Sequence, residues 1–358
     1  MTTFCTIVDT TYLNQALLSR NSFLRFHPQS SFYILVTDLS TLRLDTDYVI
    51  SISKIVETYP DLAHMRQYYD IVEFSTALKP FLIHYVRILR GGRVTYVDPD
   101  TMFFSSCLEI LNSYSTKGIL ISPHRLTPAD GLLVDDKVFL KFGLYNLGFI
   151  SVGEETEKFL NWWQSKLVYE ATRYFGSEVF TDQKWIDLAS VYYDIQICKH
   201  LGINVAPWNI DERFPERREE TWFCRDGSRL VFFHFAQMSQ ALNQGKTTEI
   251  LEKYYMKVKN RDLFFSFKEL ITEYADGLAS IPKNGIALSV THFKFFHSEF
   301  ARKISRHNFM YPDSIRVPRF ILFLVDKLAK NLEKSDFLRQ FIPLLFSDLV
   351  KLRKKRFY

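Results

Sequence analysis

The stretch Arg93-Val94-Thr95-Tyr96-Val97-Asp98-Pro99-Asp100 decides how the chain is read. Val94 to Val97 is made of β-branched and aromatic residues, which favour a strand. Pro99 has no amide hydrogen to give a central ladder, so the strand ends before it. Upstream, Ser75 to Leu89 repeats Ala77, Leu78, Phe81, Leu82, Tyr85 and Leu89 at near-helical spacing, and Gly91-Gly92 stops it. The order is buried helix, glycine turn, then a strand closed by two aspartates. The carboxyl end of a parallel strand is where open α/β sheets bind ligands. Residues i and i+2 of an extended chain point the same way, so Asp98 and Asp100 can share one hard divalent ion, Mg²⁺ or Mn²⁺. Such an ion can grip a diphosphate and neutralise its charge as it departs. Taken alone, Asp-Pro-Asp also suits a solvated turn.

Working outward, Phe4 to Val8 reads as a short buried strand. Tyr12 to Phe26 has helical spacing through Leu13, Leu17 and Leu24, and Ser31 to Val36 reads as a second strand. This β-α-β opening implies a parallel sheet. Further strands are expected at Gly118 to Ser122, Gly148 to Val152, Asn204 to Ala206 and Leu230 to Phe233. Helices are expected at Glu155 to Tyr169 and Asp182 to Ser190. After about Lys246 the pattern becomes helical, with Leu251 to Lys259 and Leu263 to Tyr274 as examples. The expectation is a mixed, mostly parallel α/β sheet flanked by helices over residues 1–245, with a helical C-terminal region over 246–358.

Composition narrows the class. The chain has 358 residues, 47% hydrophobic and 24% charged, with 33 Phe and 19 Tyr; an aromatic-rich core accounts for most of those rings. The run Phe320 to Val325 is far short of the roughly 20 residues that span a bilayer, and the N-terminus has no basic start or long apolar run. Cys5, Cys107, Cys198 and Cys224 are scattered without a C-x-x-C pair, which argues against a disulfide framework or structural zinc and for a reducing cytoplasm. Net charge is +5, yet Ile315 to Tyr358 holds 11 Lys or Arg against 4 Asp or Glu, leaving 34 against 36 elsewhere. A nucleic-acid-binding body is therefore not expected. In the tail, Leu338, Phe341, Leu345, Leu349 and Leu352 form one stripe bent by Pro343 and bordered by Arg353-Lys354-Lys355-Arg356. It reads either as helices docked on the body or as peripheral attachment to an anionic membrane at the inner face of the cell membrane. No G-x-x-x-x-G-K-[ST], G-x-G-x-x-G or H-E-x-x-H occurs. His292 and His297 are spaced poorly for one helix face, and no metal is expected there.

Several segments in the same order resemble the donor site of GT-A-fold glycosyltransferases, most similar to family 8 and related bacterial polysaccharide transferases. They are Thr6-Ile7-Val8-Asp9 with Tyr12, Ala77-Leu78-Lys79-Pro80, Val94 to Thr101, Tyr145-Asn146-Leu147-Gly148-Phe149, Phe180-Thr181-Asp182-Gln183, Asn204 to Asn209, and Phe232-Phe233-His234-Phe235. The resemblance covers about residues 4 to 240. It implies a nucleotide-sugar-binding catalytic domain in which Asp98, Asp100 and His234 ligate the metal. Without it, His234 reads as a core or edge residue. Val8, Asp9 and Tyr12 would hold uracil and ribose, Tyr12 by stacking, although helix packing also explains that ring. Lys79 would contact donor phosphate or sugar. Asn146, Asp182 and Gln183 would line the sugar and acceptor side as catalytic residues. The run His234-Phe235-Ala236-Gln237-Met238-Ser239 lacks the Gly and Lys-Pro-Trp group that family 8 places after its final His, which points to a related bacterial family.

The function this implies is metal-dependent transfer of a hexose from a UDP-sugar to a glycan, lipooligosaccharide or glycoprotein acceptor, with retention of configuration. An inverting reaction would need a carboxylate base, and Asp182 could serve. Two alternatives share the fold: a non-catalytic glycan- or nucleotide-binding protein, and a sugar-phosphate nucleotidylyltransferase. The second wants a Gly-rich loop after the first strand, where this chain has Asp9-Thr10-Thr11-Tyr12.

Overall fold

The computed structural model describes residues 2–42, 47–129, 134–173, 179–255, 257–258, 260–282, 288–290 and scattered positions between 302 and 327. His292, His297 and the basic stripe from Leu338 onward lie outside the described residues.

The first strand, β1 (Thr3–Val8), is buried along its whole length. A central parallel strand must be covered on both faces, and its apolar run reflects that. Helix α1 (Leu13–Phe26) then crosses to β2 (Ser31–Val36), which pairs parallel with β1 from Thr3 opposite Ser31 to Val8 opposite Val36. Strand β3 (Val49–Ser51) adds to the outer side of β2. The sequence favours one helix over Ser75 to Leu89, but two occur, α2 (Ile71–Ala77) and α3 (Lys79–Arg90), meeting at Leu78. Pro80 in the first turn of α3 cannot donate a backbone hydrogen bond, so the ladder is interrupted there. Asp70 and Glu73 close a capping box at the start of α2, an N-terminal signal the sequence reading passed over. Gly91 ends α3 at φ 68, as its position predicts.

Strand β4 (Val94–Val97) lies parallel to β1 and stops before Pro99. It is followed by the short β5 (Thr101–Phe103), then β6 (Ile119–Pro123) and the eight-residue β7 (Tyr145–Val152). Helix α4 (Glu157–Glu170) and helix α5 (Lys184–Tyr192) precede β8 (Ile195–Ile197). The seven-stranded sheet has the order β3-β2-β1-β4-β7-β6-β8, and β7 alone runs against its neighbours. The mixed, mostly parallel sheet flanked by helices is the one the sequence predicts.

The predicted strand Asn204 to Ala206 is reduced to a single parallel bridge from Val205 to Phe233. Asn204 sits at φ 58, which turns the chain out of extended geometry, and Pro207 follows closely. The late strand starts two residues later and ends one residue later than predicted, as β9 (Phe232–His234). It pairs antiparallel with β5, placing His234 opposite Thr101. Helix α6 (Arg261–Ser280) packs behind this small sheet, with the Phe235 and Tyr274 rings stacked at 3.8 Å.

Alternation along β1 splits the core. Cys5 and Ile7 face the layer of α3 and α4, with Leu82, Phe159 and Trp163, while Phe4 and Val8 face Phe23, Phe32, Phe103 and Phe149. The four cysteines are buried free thiols. No helix among the described residues is long and apolar enough to cross a membrane.

Candidate functional site

Asp98 follows β4, and its amide still donates to Gly148 O at 3.0 Å. Residues 98–100 then form a turn rather than an extended segment. The two carboxylates converge because the chain folds back into β5, not because alternation aligns them. The β5–β9 pairing brings in the third group. His234 Nε2 lies 3.1 Å from Asp100 Oδ1 and 3.6 Å from Asp98 Oδ2. One oxygen from each aspartate and one nitrogen of His234 fall within 4.8 Å of one another, the group the sequence proposes for a metal. Donors about 2.1 Å from one octahedral ion and adjacent around it sit about 3 Å apart, so the spacing fits Mg²⁺ or Mn²⁺. The oxygen-rich donor set with one imidazole suits the same ions.

Asp100 and His234 are coupled electrostatically. Burial penalises the charged forms of both Asp100 and His234. Their proximity outweighs it, holding the Asp100 pKa below and the His234 pKa above the ordinary value. Ser239 Oγ donates to Asp100 Oδ2 at 3.2 Å. Tyr12 lies in a short 3₁₀ turn ahead of α1. Burial, and then the charges of Asp100 and Asp9, raise its pKa. Asp9 Oδ1 is committed to the Thr11 amide and hydroxyl and the Tyr12 amide, and Val8 is buried beneath.

Lys79 is enclosed. Its ammonium donates to Leu147 O at 2.8 Å and lies 3.0 Å from Asp182 Oδ2 and 3.3 Å from Asp98 Oδ1. The ammonium thus has one hydrogen bond, to a backbone carbonyl, and sits between two carboxylates as their shared counter-ion. Burial disfavours its charge, but Asp182 and Asp98 more than compensate and raise its pKa. Asp182, 2% exposed, has its pKa raised by burial against the opposing pull of Lys79. The residue meets the cluster by bracing it from the side.

Asn146 and Gln183 lie one layer below. Asn146 Oδ1 accepts from the Gly148 amide at 3.0 Å and from Asn204 Nδ2 at 2.9 Å, which directs its NH₂ toward Gln183 Oε1 at 3.3 Å. Gln183 Oε1 also accepts from the Leu147 amide, and its Nε2 donates to Phe142 O. Gly148 is required by space: a Cβ there would stand 2.6 Å from both Asn146 Oδ1 and His234 Nδ1. Asp182 and Gln183 lie in the turn before α5, not inside a helix. The sequence reading missed His124, whose Nε2 is 3.5 Å from Asn146 Nδ2 and whose carbonyl accepts from Asn209 Nδ2. Its signal was available, since it follows β6 as Asp98 follows β4. Burial depresses its pKa to about 4.

No family model matches the chain, and no curated protein does either. Among solved structures, it is similar to the galactosyltransferase LgtC in complex with donor and acceptor sugar analogs, at 16% identity over 78% of this chain and 98% of that one, with a TM-score of 0.45. Mouse xyloside xylosyltransferase 1 matches at 11% identity over 66% and 98% of the two chains, with a TM-score of 0.40. The glycosyltransferase GlyE of Streptococcus pneumoniae matches at 11% identity over 78% and 62%, with a TM-score of 0.42. These overlays are loose, and the chemistry of the site stands on its own side chains.

Proposed function

We propose that this protein is a metal-dependent glycosyltransferase that moves a hexose from a nucleotide-sugar, a UDP-sugar, to a glycan, glycolipid or glycoprotein acceptor. The observation that carries this reading is the convergence of Asp98, Asp100 and His234 beyond the carboxyl end of β4. These three would hold Mn²⁺ or Mg²⁺. A divalent ion supplies charge neutralisation to a departing diphosphate. Tyr12 and Asp9 would meet the nucleoside of the donor, Tyr12 being near enough to Asp100 to feel its charge.

Retention of configuration belongs to the same reading. Asp182 is closed into an ion pair with Lys79, so it is poorly placed to act as a base for an acceptor hydroxyl. The proton then goes to the leaving phosphate on the same face, and Asp182 contributes negative charge beside the reacting carbon. Gln183 and Asn146 hold the floor of the site through their mutual hydrogen bond.

The test is hydrolysis of donor across a panel of UDP- and GDP-sugars with Mn²⁺, using the wild type and Asp100→Ala. Release of UDP from one UDP-sugar, lost in a folded Asp100→Ala protein, supports the reading. Full activity in that variant overturns it.

A further inference from the structure

Each aspartate of the cluster has one oxygen engaged by a buried hydroxyl. Tyr96 stands two residues before Asp98 on β4, and its hydroxyl donates to Asp98 Oδ1 at 3.0 Å. Lys79 Nζ lies 3.3 Å from the same oxygen and 4.7 Å from the centre of the Tyr96 ring. On the other side, Ser239 opens the helical turn Ser239–Asn243 that follows β9, and its hydroxyl donates to Asp100 Oδ2 at 3.2 Å. Tyr96 is 2% exposed and Ser239 1%, so neither is a solvated surface group. The other two oxygens, Asp98 Oδ2 and Asp100 Oδ1, turn toward His234 Nε2, at 3.6 Å and 3.1 Å.

A carboxylate can offer a cation one oxygen or both. A hydrogen bond that occupies one oxygen turns it aside and leaves the other to the ion. Carboxylates that ligate metals are commonly held by such a partner, which fixes their orientation. The choice matters for the ion. Mg²⁺ demands near-ideal octahedral geometry, and Mn²⁺ also takes octahedral oxygen sites, whereas Ca²⁺ accepts six to eight oxygens and is often gripped by both oxygens of one carboxylate. We propose that Tyr96 and Ser239 are positioning residues, whose hydroxyls hold Asp98 and Asp100 as one-oxygen ligands and so favour a compact octahedral ion over Ca²⁺. The effect on ions rests on the metal reading above; the orientation of the two carboxylates does not.

The experiment uses Tyr96→Phe, Ser239→Ala and Ser239→Thr. The first two each remove a hydroxyl, and threonine keeps one. Each protein is titrated calorimetrically with Mn²⁺ and with Ca²⁺, unfolded in urea, and crystallised without metal. Mn²⁺ affinity is expected to fall about tenfold to a hundredfold in Tyr96→Phe and in Ser239→Ala. Ca²⁺ affinity should fall less, so that the preference for Mn²⁺ narrows, and Ser239→Thr should recover the preference. In the metal-free Tyr96→Phe structure, Asp98 should turn away from its wild-type orientation. Carboxylates that keep their orientation overturn the proposal. If the wild type binds Mn²⁺ and both hydroxyl-free variants keep its preference over Ca²⁺, the proposal falls while the metal reading stands. Equal losses for both ions that follow a lowered urea midpoint show that the hydroxyls only support the fold, which also overturns it. A wild type that binds neither ion overturns the metal reading and this proposal with it.

Discussion

Lys79 Nζ stands 3.0 Å from Asp182 Oδ2, and both side chains are almost fully buried. The pair joins the first turn of α3 to the turn before α5 and leans on Asp98 at the edge of the metal-type cluster. Removing one partner of a buried ion pair strands the other charge. Lys79→Met should therefore cost about 3–5 kcal/mol in urea unfolding. Adding Asp182→Leu should recover most of that loss. A single variant as stable as wild type would show that the pair contributes no net constraint.

Gly148 gives a second prediction. Its missing side chain leaves room for Asn146 Oδ1 and His234 Nδ1, each 2.6 Å from where a Cβ would sit. Gly148→Ala should cost about 1–3 kcal/mol through overpacking. It should weaken Mn²⁺ binding more than this stability loss explains, because the imidazole is pushed off its position. Unchanged Mn²⁺ affinity by calorimetry would separate Gly148 from the cluster.

His124 should make stability depend on pH. Its ordinary pKa is 6.5, and burial depresses it to about 4 in the folded chain. Between these values the unfolded chain binds more protons, so stability falls as pH drops. The contribution is complete above the unfolded value and is lost progressively down to the folded one, by at most about 3 kcal/mol. His124→Gln should flatten the difference in unfolding free energy between about pH 7.5 and about pH 5. An unaltered slope would place the titration elsewhere.

The sheet and the metal-type cluster were both legible in the sequence, for a common reason. Long apolar runs such as Phe4 to Val8 and a Pro that ends β4 act locally, and Asp98 and Asp100 are neighbours in the chain. His234 was placed only through resemblance, because its approach depends on the β5–β9 pairing across more than a hundred residues. The commitment of Lys79 was not legible. A lysine at the start of an amphipathic helix reads as solvent-facing, and only the fold brings a carbonyl and two carboxylates to it. The break at Leu78 was readable from Pro80 but was overridden by the apolar spacing on either side.

The central claim is that Asp98, Asp100 and His234 hold a divalent ion that in turn holds a nucleotide diphosphate. Calorimetric titration of UDP into the 358-residue chain, with and without Mn²⁺, tests it most directly. The account predicts a binding heat with Mn²⁺ that disappears on its removal and in Asp100→Ala, while the variant keeps its fold. UDP binding of equal strength without the metal, or none under either condition, would contradict it.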